Sequence, residues 1–208
     1  AIIAEGLRAF GVTVLPYLPH RVDEGHGLSN SAVEQLSKQG VSLIVTVDCG
    51  VTSIDEVSRA RQLGTEVIIT DHHTPGSVLP EAIAIINPRI SGNSYPFLHL
   101  SGAGLAFKLI QGLCQFYGQP WSSSLLELAA MGTIADLVPL TDENRYLVRE
   151  GLGRLAETKR PGLLALYRNG RIEPKSINAE TVGYQIAPRL NSAGRMGHAG
   201  DSLALLTT

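Results

Sequence analysis

The chain has 208 residues, 44% of them hydrophobic and 17% charged, which suits one folded domain with a sizeable core and excludes a disordered polymer. No apolar run approaches the roughly 20 residues of a membrane-spanning helix, AIIAEGLRAF lacks the basic stretch of a secretory signal, and Cys49 and Cys114 lack metal-type spacing, so a cytoplasmic protein with no membrane partner is expected. The net charge of −2 hides an asymmetry: residues 1–144 hold 7 Lys and Arg against 14 Asp and Glu, whereas residues 145–208 hold 10 against 5. A cation site beside a phosphate-binding surface would produce that split, as would ordinary solvated helices.

Residues 2–10 predict a helix stopped by Gly11, and VTVLPYL (12–18) a strand. A helix follows at 30–39 up to Gly40, then a strand at SLIVTV (42–47), a helix at 53–63, a strand at EVIIT (66–70) and a fourth strand at AIAII (82–86), closed by Asn87 and Pro88. Strands that are apolar throughout belong to a parallel sheet covered on both faces. The expected fold is therefore α/β, a doubly wound, mostly parallel sheet, followed by a mainly helical segment. Residues 1–98 would form the sheet portion and 99–208 the helical portion of the same domain. Ser101 is placed to cap a helix with Leu105, Leu109 and Leu113 on one face, LLELAAMGTIA (125–135) should be buried, and helices are expected near 141–157, 161–168 and 178–186.

Two strands end alike. SLIVTV runs into Asp48, then Cys49 and Gly50; EVIIT runs into Asp71, then His72 and His73. Ligands of open parallel sheets bind beyond the carboxyl ends of the strands, so the two segments should emerge side by side there. Asp and His together are ligands suited to Mn²⁺ or Mg²⁺. Each Asp alone could instead cap the next helix, but adjacent imidazoles add nothing to a cap. Asp136 follows the apolar 125–135 helix; it is either a carboxylate needing a cation or the surface end of that helix. Cys49 has no assignable base and reads as a packing residue.

The string Asp71-His72-His73 resembles the motif that names the DHH phosphoesterase superfamily; VTVDCG (45–50) and GTIADLVPL (132–140) resemble its preceding and following motifs, in order. HRVDEGHGLS (20–29), LSGAGLAFKL (100–109) and PRLNSAGRM (188–196) are similar to stretches of that superfamily's single-strand-specific exonucleases. The resemblance implies a two-metal phosphodiesterase acting 5′ to 3′ on single-stranded DNA in repair and recombination, with Mn²⁺ or Mg²⁺ as cofactor. It implies Asp48, His72, His73 and Asp136 as ligands, Asp48 bridging both ions, with Asp71 orienting the histidines. It further implies Arg21 at the 5′ terminal phosphate and Arg195, with Asn191 and Gly194 in a turn, at a phosphate near the scissile bond. Partners would be single-stranded DNA with a 5′ end and a single-strand-binding protein or helicase. Aromatic residues are scarce, and Trp121 reads as a loop residue, so no base-stacking platform is visible.

One departure stands out. The superfamily carries an Asp-x-Asp motif on a first strand, and no Asp precedes Asp23 here. With helices in progress at both ends and no initiator Met, the chain is expected to be a fragment that binds Mn²⁺ weakly and hydrolyses little. Two other functions fit the acidic motifs: a small-molecule phosphoesterase (manganese pyrophosphatase or oligonucleotide-cleaving type) and a non-catalytic nucleic-acid-binding relative. The basic second half favours a polynucleotide over the first, and the intact Asp and His set argues against the second.

Overall fold

The structure, a computed structural model, describes residues 1–19, 25, 27–196 and 199–208, without the side chains at 195 and 196. After α1 (Ile2–Ala9), α2 (Asn30–Lys38) leads into β1 (Leu43–Val47), then α3 (Ile54–Gln62), β2 (Glu66–Thr70) and β3 (Ala84–Ile86). The three strands form one parallel sheet in the order β1-β2-β3. Val47 pairs with Thr70 and Thr70 with Ile86, so the strands end level with one another. Gly40 and Gly64, at φ +78° and +77°, let the chain leave α2 and α3 in a left-handed turn and re-enter the sheet.

Alternate strand residues face opposite layers. Ile44, Val67 and Ile69 pack with Val33 and Leu36 of α2 and Val57 and Ala60 of α3. Val45 and Ile86 lie against the other core. That core is built from α1 with α4 (Gly102–Phe116), α5 (Leu125–Ala135), α6 (Asp142–Ala156) and α7 (Pro161–Gly170). The sheet is thus covered on both faces, as continuous apolar strands require. Ser101 caps α4, its Oγ accepting from Gly104 N at 2.9 Å.

Three glycines draw the helices together. A Cβ at Gly6 would fall 2.5 Å from Ile110, at Gly132 2.3 Å from Ala103, and at Gly151 2.3 Å from Ala130. Helix α5 accordingly runs against both α4 and α6, with all but two of its residues buried.

Two expectations are corrected. Residues 12–18 form no strand; Pro16 removes a ladder donor from the middle of the segment, and Val12 and Leu15 stay exposed. PRLNSAGRM forms no turn. Helix α8 (Ala179–Thr181), a π turn (Val182–Ile186) and α9 (Ala187–Met196) run on as one helix, followed by α10 (Gly200–Thr207). Pro188 lies inside that helix, where its ring opposes the carbonyl of Tyr184 four residues back; the widened turn there relieves the clash. Gly194 therefore sits within α9 beside Ala199, where backbone amides serve the helix rather than a ligand.

Candidate metal centre

At the level ends of the strands, Asp48 N donates to Thr70 O at 2.9 Å and Asp71 N to Ile86 O at 3.1 Å. The backbone ladder thereby continues one residue past each strand and sets Asp48, Asp71 and Asn87 in a row. Asp48 takes φ +66°, a left-handed conformation that a short Asp side chain tolerates and that turns the chain sharply into Cys49 and Gly50. Strain of that kind collects at functional positions. Thr46 Oγ1 donates to Cys49 O at 2.7 Å and fixes the turn.

The Asp48 carboxylate is seated against the start of α4. A Cβ at Gly102 would lie 2.3 Å from Asp48 Oδ1, so only glycine leaves room for it. The positive end of a 15-residue helix favours a carboxylate there. Asp136 arrives from the opposite direction as the C-terminal cap of α5, its N–H bonded to Gly132 O at 3.0 Å.

His72 stands between them. Its Nε2 is 3.0 Å from Asp48 Oδ1 and 3.5 Å from Asp136 Oδ2. Among the described residues, neither ring nitrogen of this buried imidazole finds a partner of hydrogen-bonding geometry. The nearby Asp48 carboxylate, which raises the imidazole above its ordinary value, is the first effect here; burial opposes it, and Asp136 adds to it. Burial raises the Asp136 carboxyl, with His72 partly offsetting.

Asp71 is not aimed at the cluster; its side chain is 2% exposed. It accepts from Val51 N at 2.9 Å through one oxygen, and through the other from His73 N at 3.1 Å and the His73 ring Nδ1 at 2.7 Å. Burial pushes this carboxyl up, but those donors outweigh it and hold it below the usual value. An ionised Asp71 makes His73 Nδ1 the donor and leaves Nε2 with its lone pair for a ligand. Asn87, which the sequence suggests only as a strand terminator, donates to His73 O at 2.9 Å. Burial, then Asp71 and Asp48, push the Cys49 thiol up to about 11, so it stays protonated and packs.

Ligand atoms of Asp48, His72 and His73 all lie within 4.8 Å of one another. With Asp136 beside them, two imidazoles and two carboxylates converge, and the orphaned nitrogens of His72 are what a metal ligand awaiting its ion looks like. Five of the residues singled out by sequence are thus brought together. Arg21 lies outside the described residues, as does the side chain of Arg195. Gly27 lies near Cys49, with 3.7 Å from its would-be Cβ. Asn191 is exposed on α9.

The family model for the "DHH family, N-terminal domain" matches residues 1–133. The chain belongs to the DHH family. Among curated proteins, this DHH-family chain is 44% identical to the single-stranded-DNA-specific exonuclease RecJ of Bacillus subtilis, over 99% of its own length and 26% of that relative. It is 40% identical to the Escherichia coli protein of the same name, over 99% of itself and 38% of the relative. The chain therefore spans 26–38% of these relatives. A crystal structure of exonuclease RecJ bound to manganese superposes with a TM-score of 0.88 at 39% identity, covering 99% of this chain and 52% of that one. A crystal structure of RecJ from Thermus thermophilus in complex with Mn²⁺ gives 0.84 at 36% identity, covering 100% and 29%.

Proposed function

We propose that this chain is the core of a metal-dependent exonuclease that hydrolyses phosphodiester bonds of single-stranded DNA from a 5′ end. The observation that carries the reading is the convergence of Asp48, His72 and Asp136, with His72 Nε2 3.0 Å and 3.5 Å from the two carboxylates. The names of the relatives support the single-stranded substrate, and the manganese-bound neighbour supports Mn²⁺, with Mg²⁺ as the alternative ion.

Asp48, His72, His73 and Asp136 would hold the cations. When bound, two divalent ions supply Lewis acidity for the attack of water and for the charge on the phosphate. The chain's own residues prepare that chemistry: Gly102 leaves space for the Asp48 carboxylate, and Asp71 fixes the tautomer of His73. We assign Arg21 to the 5′ phosphate and Asn191 with Arg195 to a phosphate near the scissile bond, with Gly194 contributing close approach rather than an amide. Residues 1–98 and 99–208 are then two portions of one domain. An enzyme confined to single strands needs duplex opened or strand held extended, so a helicase and a single-strand-binding protein are its natural partners. DNA repair and recombination in the cytoplasm are its setting.

The test incubates the whole enzyme of which this chain is the core with Mn²⁺ and 5′-phosphorylated single-stranded DNA, the matching duplex, or pyrophosphate. Mononucleotides released from the single strand alone, abolished by EDTA and by His72→Ala, are expected. Consumption of pyrophosphate with the DNA left intact would establish a small-molecule phosphoesterase instead.

A further inference from the structure

We propose that Tyr184 is a stacking platform for a nucleobase of the strand whose phosphate is held at the Asp48–His72–Asp136 site. This rests on the exonuclease reading. Tyr184 is 80% exposed, and neither its ring nor its hydroxyl has a partner among the described residues. It lies on the π turn, whose Val182 and Ile186 are fully buried. Those two residues share a core with Ile134, and a Cβ at Gly183 would be 3.8 Å from Ile134 Cγ2. Ile134 precedes Asp136 by half a turn of α5. The turn that presents the tyrosine is thus packed on the same helix end that presents a candidate metal ligand. Single π turns recur at functional sites because they re-aim side chains.

What surrounds the ring points to a nucleic-acid strand rather than a protein partner. The exposed side of the helix continues through Gln185, Arg189 and Asn191. Arg189 Nη1 donates back to Gln185 O at 2.6 Å and meets no carboxylate; Arg168 and Arg171 are likewise exposed without an ion pair among the described residues. A Cβ at Gly170 would stand 3.5 Å from Arg189 Nε, which joins the end of α7 to this surface. Elsewhere Arg59, Arg61, Arg149 and Arg160 are paired, while Arg8, Arg89, Arg145 and Arg154 are without an ion pair among the described residues. Leu137, which follows Asp136, is 89% exposed at φ +58°, a conformation rare for a branched side chain. An aromatic face and unpaired guanidinium groups, on and next to a helix packed against the end of α5 that bears Asp136, suit bases that stack and phosphates that are neutralised. Sequence alone hides this platform, because a single Tyr on a helix looks like any other until its burial is known.

The experiment compares Tyr184→Ala and Tyr184→Phe in the Mn²⁺-loaded whole enzyme of which this chain is the core. Its substrates are a 5′-phosphorylated oligonucleotide, the same oligonucleotide carrying abasic sites near its 5′ end, and bis(p-nitrophenyl) phosphate. Tyr184→Ala should raise KM for the normal oligonucleotide roughly 5- to 150-fold. Tyr184→Phe, which keeps the ring, should leave it unchanged, and neither should alter turnover of bis(p-nitrophenyl) phosphate. Abasic substitution should weaken the wild type and make no further difference to Tyr184→Ala. Equal KM values for Tyr184→Ala and wild type on the normal strand would overturn the assignment while leaving the nuclease reading intact. A change of oligomeric state in Tyr184→Ala would also overturn it, the surface then being covered by a second copy. A wild type inert toward every single strand would remove both.

Discussion

His72 carries two ring nitrogens into the protein, neither with a hydrogen-bond partner among the described residues, while two carboxylates lie within 3.5 Å of one of them. Without a metal, a proton is the substitute cation, and this sets the pH dependence. The nearby Asp48 carboxylate raises His72 above 6.5, and burial raises Asp136 above 3.8, so the folded metal-free chain holds protons that the unfolded chain releases. The His72 contribution is fully present below about pH 6.5 and is lost as pH rises through the raised folded value. Asp71 acts oppositely, its carboxyl being lowered, but its contribution disappears only as pH falls below about 3.8. Between pH 8.5 and 5.5 the melting temperature in EDTA, measured relative to His72→Ala, should therefore rise as the solution becomes more acid. The Ala1 amine, which burial lowers, pulls the other way in both proteins. Saturating Mn²⁺ should raise the melting temperature most at the alkaline end, because ligation needs the neutral imidazole. A difference in melting temperature between wild type and His72→Ala in EDTA that grows with pH across this range is incompatible with the arrangement.

Helix α4 begins where β1 ends, and the contact between them depends on an absent methyl group. With a would-be Cβ 2.3 Å from Asp48 Oδ1, Gly102→Ala must displace the carboxylate or the helix start. Alanine is the better helix former by roughly 1 kcal/mol, so the fold should survive and the strain should fall on Asp48. Mn²⁺ affinity by calorimetry is expected to drop on the order of 10–100-fold, the loss seen when a ligand's support is removed, with little change in thermal melting in EDTA. Unaltered affinity would mean that Asp48 is not held as a ligand. Such contacts also mark the limit of what the chain discloses before it folds. The parallel strands were legible because burial on both faces demands apolar residues throughout, and Asp48, Asp71, His72 and His73 because they follow two such strands directly. Gly102 and Asn87 were not, since each acts across space on a segment that no local pattern links to it. Residues 12–18 misled because their composition suits a strand, while Pro16 denies them a ladder. PRLNSAGRM misled in the opposite sense: Pro188 and Gly194 signal a turn, and a widened helical turn accommodates the proline instead.

Across the whole molecule, the first and last described helices are tied to the helix that bears Asp136. Arg160, 10% exposed at its side chain, donates to both Glu5 oxygens of α1 at 2.6 and 2.8 Å and to Leu206 O of α10 at 2.7 Å. Its Nε stands 3.3 Å from Glu127 of α5, which also accepts from Thr158 at 2.7 Å. Burial pushes the Glu127 carboxyl up, with Thr158 and Arg160 holding it back. Removing the guanidinium would leave two carboxylates buried together, and breaking a buried ionic cluster costs about 3–5 kcal/mol. Arg160→Met should lose about that much in urea unfolding at neutral pH. The loss should shrink at pH 5, where an unpaired Glu127 is protonated more readily than one beside Arg160. Adding Glu127→Leu to Arg160→Met should recover part of the stability by replacing the pair with apolar packing. A loss below about 1 kcal/mol would reduce Arg160 to an ordinary surface ion pair. Because Glu127 and Asp136 occupy opposite ends of α5, loosening the first should reach the second, and Arg160→Met should bind Mn²⁺ more weakly although Arg160 belongs to a separate cluster from the candidate ligands. The reciprocal effect follows by mass action: an ion that binds only the folded chain adds stability as its concentration rises above its dissociation constant, so Mn²⁺ should restore part of what Arg160→Met removes.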